Sequence, residues 1–235
     1  MYIGGFQKNS LIDFPGTMAC VVFTQGCNFT CPYCHNPDLV PGHLKHNYDF
    51  YDEKKIFNFL EARKGFLEGV VITGGEPTLQ KDLIKFCKKI KNIGYKIKID
   101  SNGTRPQILA VLFNNKLVDF ISMDIKTSLG NYNLVLPPGK FDIKTITDSI
   151  QIIMEKAPLY EFRTTCSKPF VNEEIMADIG KMIKGASKYI LQKCSRNVKV
   201  LDPDFLQSDD DFFSDEQMIE LKNVIDEYVH SSVIR

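Results

Sequence analysis

The sequence has no excess of charge of either sign. Its 235 residues include 29 Lys and Arg and 29 Asp and Glu, so the formal net charge is +0. General binders of nucleic acid or of acidic membranes carry a basic surface, and this balance disfavours both functions. Hydrophobic residues make up 43% and charged residues 25% of the chain, which is typical of a globular protein with a core. We expect no nucleic acid and no membrane among its partners.

Long apolar runs are missing as well. Charged residues such as Asp13 and Lys45 interrupt every candidate before it reaches the roughly 18 residues of a membrane span. The first residues, MYIGGFQKNSLIDFPG, lack the basic region followed by an apolar core that marks a signal peptide. These two absences predict a cytoplasmic protein.

Internal repeats, low-complexity segments and linkers rich in Pro, Gly or Ser are absent too. This continuity predicts a single domain over residues 1–235. We divide it into a short N-terminal segment (1–18), a barrel (about 19–195) and a C-terminal capping segment (about 196–235).

What the chain does contain is an alternation of β-like and helix-like runs, which predicts an α/β fold. Several β-like runs show little polar alternation, as expected for strands buried on both faces of a parallel sheet. Six such repeats are too few for a closed eight-stranded barrel, so we predict a partial (β/α)6 TIM-like barrel with parallel strands. The predicted strands are Ala19–Thr24, Gly69–Thr73, Tyr95–Asp100, Phe120–Lys126, Tyr160–Thr165 and Lys188–Gln192. The predicted helices are Asp52–Arg63, Leu83–Ile93, Gln107–Asn114, Lys144–Lys156, Glu173–Lys184 and a last one from Ser214, where Gln217 completes a capping box, to about Val229.

The 7 cysteines are an odd number, which argues against a disulfide framework in a reducing compartment. Three of them, Cys27, Cys31 and Cys34, crowd into one loop after the first predicted strand, where thiolates can converge on a soft metal centre. The other four are predicted to be small buried hydrophobic residues: Cys20, Cys87, Cys166 and Cys194.

Four interpretations of the cysteine loop remain open. A structural zinc site needs a fourth ligand, which the adjacent His35 cannot easily supply. Attachment of a c-type haem, for which Cys31-Pro-Tyr-Cys34-His35 has the spacing, requires export and leaves Cys27 unexplained. A ferredoxin-type cluster needs a fourth cysteine, and the next one, Cys87, belongs to a predicted helix. A [4Fe–4S] cluster with three protein ligands leaves one iron open for a substrate.

Further unusual residues follow the other predicted strands, at the edge of a parallel sheet where ligands bind. They are Thr73-Gly74-Gly75-Glu76-Pro77, Asp100-Ser-Asn-Gly103, Met123-Asp124-Ile-Lys126, Arg163 and Gln192. Each also has an ordinary interpretation: a tight turn for the two glycines, an Asx turn for the second motif, and rim ion pairs for the charged residues. We interpret His43, His46 and His230 as surface residues, and Asp209-Asp210-Asp211 as a solvated loop.

The spacing C-x3-C-x-φ-C, matched by Cys27, Cys31, Tyr33 and Cys34, resembles that of the radical S-adenosylmethionine (SAM) superfamily. The resemblance extends over essentially the whole chain. The segments YIGGFQKNSLIDFPG and FTQGCNFTCPYCHNP are most similar to glycyl-radical-enzyme activating proteins, and among them to that of anaerobic ribonucleoside-triphosphate reductase.

The resemblance implies two cofactors, a [4Fe–4S] cluster on the three cysteines and SAM chelated to its open iron. One electron then cleaves the sulfonium bond and gives methionine and a 5′-deoxyadenosyl radical. It implies that SAM lies against Tyr33 and that Gly74, Gly75 and Glu76 contact its amino group. Further SAM neighbours implied by it are Asp124 and Lys126, and Asp100 with Asp124 would form a monovalent cation site. With SAM at this edge, the side-chain chemistry of Arg163 suits its carboxylate, and that of Gln192 suits its ribose or adenine.

The function implied is abstraction of a glycine α-hydrogen in a partner, expected to be anaerobic ribonucleotide reductase. Flavodoxin or ferredoxin is the expected electron donor, because the chain has no second cysteine cluster. Two alternatives stay open: a radical SAM enzyme that acts on a small molecule or peptide, and a non-catalytic zinc or electron-transfer module.

Overall fold

The computed structural model describes residues 1–40, 51–137, 141–195, 198–206 and 211–235. Of the residues interpreted from sequence, His43, His46, Asp209 and Asp210 lie outside these ranges. Within the described residues no helix is both long enough and apolar enough to cross a membrane.

The described residues contain one sheet of eight strands, arranged in the order of the sequence. The strands are β1 (Ile3–Ser10), β2 (Ala19–Thr24), β3 (Gly69–Gly74), β4 (Lys96–Ser101), β5 (Phe120–Asp124), β6 (Tyr160–Cys166), β7 (Tyr189–Lys193) and β8 (Ser232–Ile234). β1 pairs antiparallel with β2, and every later pair is parallel. The sheet is open between β1 and β8, so the predicted α/β partial barrel is confirmed.

Helices connect the parallel strands and cover the outer face of the sheet. They are α1 (Glu53–Ala62), α2 (Leu83–Ile93), α3 (Pro106–Asn114), α4 (Lys144–Lys156), α5 (Glu173–Met182) and α6 (Asp215–Asp226). Each presents an apolar stripe to the core, as Ile56 and Leu60 do in α1. The capping box at Ser214 is present, but α6 ends three residues before the predicted Val229, which allows the chain to turn into β8.

The sequence analysis did not predict β1 and β8. β1 contains Gly4 and Gly5 and a polar stretch, and its pairing with β2 is interrupted by two register shifts, so it lacks the alternation of a regular strand. β8 has only three residues and depends on β7 for its pairing. Both strands therefore form through tertiary contacts rather than local propensity.

The inner face of the barrel is apolar at its amino end and polar at its carboxyl end. Phe14, which follows β1, packs with Ala19, Val21, Val71 and Phe120 near the starts of the strands. Its ring lies edge-on to that of Phe120, with 6.0 Å between centroids. This apolar cluster fills the interior near the starts of the strands, and the polar side chains lie toward their carboxyl ends.

Candidate active site

A cavity of about 330 Å³ lies inside the carboxyl edge of the sheet. Every site residue named from the sequence lines it, although these residues come from six different strands and the loops that follow them. They are Cys27, Cys31, Tyr33, Cys34, Gly74, Gly75, Glu76, Asp100, Asp124, Lys126, Arg163 and Gln192. The volume lies in the range of small-ligand sites, and the lining combines thiols, charges and aromatic rings.

The cysteine loop is held in place by backbone hydrogen bonds at both ends. Gly26, with φ of 100°, turns the chain away from β2, and its N–H donates to the Leu39 carbonyl over 2.7 Å. Further along, the Thr30 N–H donates to the Val135 carbonyl over 2.9 Å. A tight turn, in which the Cys34 N–H donates to the Cys31 carbonyl, brings the last two thiols to the same side.

The chemistry of the three thiols fits a polynuclear iron–sulfur cluster. All three cysteines are free and border the same cavity. Burial raises the pKa of Cys27 to about 12 and that of Cys31 to about 11, so binding of a cationic metal centre is what would deprotonate them. Among the described residues, no three Cys, His, Asp or Glu side chains converge on a single metal ion. A four-iron cluster binds each cysteine through a different iron and needs no such convergence.

Tyr33 carries an orphaned polar atom at this cavity. Its side chain is 3% exposed and its ring packs edge-on against Phe170, with 5.0 Å between centroids. Its hydroxyl has no hydrogen-bond partner among the described residues. Buried polar groups in proteins are nearly always paired, so this hydroxyl fits a site that a polar ligand completes.

The two glycines after β3 are required by the close approach of two backbones. The Gly26 carbonyl accepts a hydrogen bond from the Glu76 N–H over 2.7 Å. A Cβ on Gly75 would lie 2.0 Å from that same carbonyl oxygen, and one on Gly74 would lie 2.4 Å from the Thr24 nitrogen. Only glycine permits this contact, which fixes the β3 loop against the cysteine loop.

Glu76 binds the β3 loop to the β4 loop. Its carboxylate is fully buried and accepts hydrogen bonds from four donors: the Thr78 N–H and hydroxyl, the Ser101 hydroxyl, and the Asn102 N–H at 2.6 Å. Burial raises the pKa of Glu76 although these hydrogen bonds oppose the rise. The carboxylate therefore positions two loops that border the cavity.

Asn102 extends this connection to the cysteine loop. Its side-chain Nδ2 donates to the side-chain Oδ1 of Asn28 over 2.9 Å and approaches the Cys27 sulfur at 4.0 Å. The Cys27 sulfur also accepts from the Phe29 N–H at 3.4 Å. Hydrogen bonds to a cysteine sulfur are a known means of tuning a cluster that it ligates.

A chain of ion pairs crosses the inner face of β4, β5 and β6. The Arg163 Nε donates to Asp124 over 2.8 Å, and another Arg163 nitrogen lies 3.6 Å from Asp100. Lys126 pairs with Asp124 over 3.1 Å, and Lys98 pairs with Asp100. Each carboxylate thus contacts two cations, and the rim ion pairs considered for these residues are confirmed.

These pairs determine the charge states of the two carboxyl groups. Burial alone would raise the pKa of Asp124, but the Arg163 guanidinium and the Lys126 ammonium hold it well below its usual range. The pKa of Asp100 is likewise lowered, against the effect of burial, by Arg163 and Lys98. Both side chains are therefore ionised at neutral pH.

Two residues were missed at the sequence level although the sequence contains a signal for each. Lys98 alternates with apolar residues in Lys96-Ile97-Lys98-Ile99-Asp100, a period of two that places it on the same face as Asp100. Asn102 lies inside a recognised motif but was interpreted only as part of a turn. Asp13, which also lines the cavity, had no local signal, because it reaches the site through the fold of the β1–β2 connection.

Comparisons with known proteins identify the family of this chain. The sequence profile of the Radical SAM superfamily matches residues 21–161. The chain is 34% identical over 195 residues to "Putative glycyl-radical enzyme activating enzyme MJ1227" of Methanocaldococcus jannaschii, covering 81% of this chain and 79% of that protein. It is 39% identical over 125 residues to a pyruvate formate-lyase-activating enzyme of Listeria monocytogenes, about half of each chain (49%).

Solved structures resemble the fold at low sequence identity. SuiB of Streptococcus suis has a TM-score of 0.63 and 14% identity, covering 92% of this chain and 48% of that one. Coproporphyrinogen III oxidase (HemN) of Escherichia coli, titled a radical SAM enzyme, has a TM-score of 0.56 and 14% identity, covering 86% of this chain and 50% of that one.

The chain belongs to the radical SAM superfamily, which uses a [4Fe–4S] cluster and SAM. Within that superfamily it is an enzyme of the glycyl-radical-enzyme activating group. The cysteine motif and the strand-end residues that pointed to this group from the sequence surround one cavity.

Replacing Glu76 with Gln tests whether its carboxylate holds the loops together. The amide nitrogen of the introduced glutamine would face donors rather than acceptors, so we expect the free energy of unfolding to fall by about 2 kcal/mol. Urea unfolding measures the loss. The control is Glu68→Gln at an exposed glutamate, which should leave stability unchanged. Equal stability of the two variants would contradict the role of Glu76.

Replacing Asp124 with Asn tests the ion-pair chain through its pH dependence. Because the folded-state pKa is depressed, the stabilisation is complete above the unfolded pKa of about 4 and is lost as the pH falls below it. At pH 7 we expect Asp124→Asn to be less stable by about 3 kcal/mol, since two buried cations lose a partner.

The difference in the free energy of unfolding between Asp124→Asn and the wild type should shrink steadily as the pH falls from neutral into the acidic range. Urea unfolding at a series of pH values measures it. Asp178→Asn, which removes an exposed partner of Lys181, is the control and should change neither the stability nor its pH profile. A difference that stays constant with pH would show that the charge of Asp124 is not responsible.

Proposed function

We propose that this enzyme abstracts an α-hydrogen from a glycine of anaerobic ribonucleoside-triphosphate reductase and so installs a glycyl radical there. The observation that carries the chemistry is a single cavity in which three free thiols and a chain of charged residues meet. The choice of partner is supported by the similarity of YIGGFQKNSLIDFPG to the reductase-activating proteins. The reducing chemistry of the site suits the cytoplasm.

In this proposal Cys27, Cys31 and Cys34 ligate a [4Fe–4S] cluster whose open iron holds SAM. When bound, these two groups supply the hydrogen-abstracting chemistry. Burial raises the pKa of Cys31, and the nearby Lys126 ammonium opposes that rise, which favours thiolate at the ligands. Flavodoxin or ferredoxin delivers the electron.

The remaining residues bind and orient SAM. The Tyr33 ring, which packs against Phe170, borders the cavity and supports SAM there. Arg163 holds two carboxylates and presents its guanidinium at the cavity, where it attracts the SAM carboxylate. Gln192, at the end of β7, offers an amide to the ribose or adenine. Glu76 positions its loop, because its Oε1 accepts from Thr78 and Ser101 and its Oε2 accepts from the Asn102 N–H.

The apolar cluster at the amino end of the barrel and the polar side chains at its carboxyl end have different roles. Phe14 and Phe120 close the amino end to water, which strengthens each electrostatic contact above them. The open side between β1 and β8 leaves space for a loop of a partner protein, where the target glycine would lie.

The test is anaerobic reconstitution with iron and sulfide, followed by electron paramagnetic resonance with and without SAM. We expect a cluster signal that changes on addition of SAM, and production of 5′-deoxyadenosine with a reductant. Addition of the anaerobic reductase should then give a glycyl doublet. A doublet on pyruvate formate-lyase alone would keep the reaction and correct the partner, whereas turnover of a small molecule without any partner would contradict the proposal.

Cys31→Ala should abolish both the cluster and 5′-deoxyadenosine production, because the cluster cannot remain on two thiolates. The matched control is Cys87→Ala, which removes a buried thiol within α2 and should keep both. Retention of 5′-deoxyadenosine production by Cys31→Ala would refute the assignment of the cysteine loop.

A further inference from the structure

Lys98 is a buried cation in an apolar layer of the barrel. Its neighbours in the register of the adjacent strands are Val71 and Phe120, both part of the apolar cluster at the amino end. The side chain of Lys98 is only 2% exposed. A buried ammonium is strongly destabilising unless it is paired. Its partner is Asp100, one pleat further along the same face of β4.

Lys98 is thereby the first member of the chain of ion pairs that ends at the cysteine loop. Asp100 contacts Lys98 and Arg163, and Asp124 contacts Arg163 and Lys126. Asp100, Asp124, Arg163 and Lys126 all line the cavity. Lys98 itself does not line the cavity. It acts on the site only through Asp100, which makes it a positioning residue.

The charges within the chain of ion pairs leave no need for a further cation. Three basic side chains, Lys98, Lys126 and Arg163, contact two carboxylates, Asp100 and Asp124. The basic groups of this chain of ion pairs therefore outnumber its acidic groups by one.

An inorganic cation between Asp100 and Asp124 would meet the Arg163 guanidinium, which already contacts both carboxylates. It would also add a positive charge to a group that has one in excess, in surroundings where charge repulsion is weakly screened. The residues present do not fit the monovalent cation site that the resemblance implied for Asp100 and Asp124.

We propose that the ammonium group of Lys98 takes the place of that monovalent cation. SAM binding in this enzyme therefore requires neither sodium nor potassium. This inference rests on the proposed binding of SAM at the cavity. Lys98 neutralises one side of Asp100, which leaves the Arg163 guanidinium oriented toward Asp124 and the cavity.

The experiment measures the SAM dissociation constant of the anaerobically reconstituted enzyme in potassium, sodium or choline chloride at equal ionic strength. Choline is too large to enter between the two carboxylates. For the wild type we expect SAM dissociation constants within about twofold of one another in the three salts. The loss of one charged contact would change the constant by more than that. In Lys98→Met, affinity should fall about tenfold in choline and recover in potassium or sodium, since the space beside Asp100 then admits an ion.

The matched control is Lys96→Met, the same substitution two residues earlier on β4. Lys96 is 57% exposed and pairs with Glu68 at the surface, 3.8 Å away. This variant should behave as the wild type in every salt. A second readout is the thermal unfolding midpoint without SAM. Potassium should raise it in Lys98→Met but not in the wild type. Lys98→Gln repeats both measurements should Lys98→Met fold poorly.

Two results would overturn the role of Lys98. One is a wild type that binds SAM only in potassium or sodium, which needs no variant to observe. The other is a Lys98→Met enzyme weakened equally in all three salts, as a purely structural ion pair predicts. Failure of SAM to bind in any salt would contradict the proposed function instead, and the unfolding midpoints would still decide whether Lys98 replaces an ion.

Discussion

The cavity depends on the contact between the loops that follow β2, β3 and β4. The Glu76 N–H donates to the Gly26 carbonyl, while the Glu76 carboxylate accepts from Ser101 and Asn102. A single residue therefore spans three loops, and the absence of a side chain at Gly75 lets the first two approach. Parallel strands bring these loops to one edge but do not set the distances between them. Buried hydrogen bonds in surroundings of low dielectric supply that precision.

Electrostatics on the inner face follow from the same parallel register. Asp124 pairs with Arg163 across β5 and β6 because the two residues are register partners. Asp100 reaches the same guanidinium from β4. Since each carboxylate has two cations, neither charge is left buried without compensation, which would be strongly destabilising. The protein thus combines a charged interior with a stable barrel. The excess of positive charge in the chain of ion pairs lies beside the cavity, where an anionic group of a ligand can bind.

The sequence could predict the elements whose local signals agree with the fold. Buried runs such as VVIT marked the parallel strands, the capping box marked the start of α6, and residues at strand ends gathered at one cavity as parallel topology requires. β1 and β8 could not be predicted, because their pairing depends on neighbouring strands rather than on their own residues. Glu76 was interpreted as a ligand-binding carboxylate, and only the structure shows that four protein donors occupy its oxygens. Sequence spacing indicates which side chains meet, but not which of their atoms are already bonded.

The contacts that frame the cysteine loop are all made between protein groups. Gly26 is tied to Leu39, Thr30 to Val135, and Asn28 to Thr104 and Asn102, while the loop's aromatic residue Phe29 packs against Tyr132. None of these interactions uses a thiol sulfur, so they leave the three thiols available as ligands. Burial raises the pKa of the Cys27 and Cys31 thiols, which makes them poor nucleophiles and protects them from adventitious chemistry until a metal centre displaces their protons. Three thiols supply one ligand fewer than a four-iron cluster has irons, and that shortfall suits an enzyme whose metal centre must leave one coordination position open to substrate.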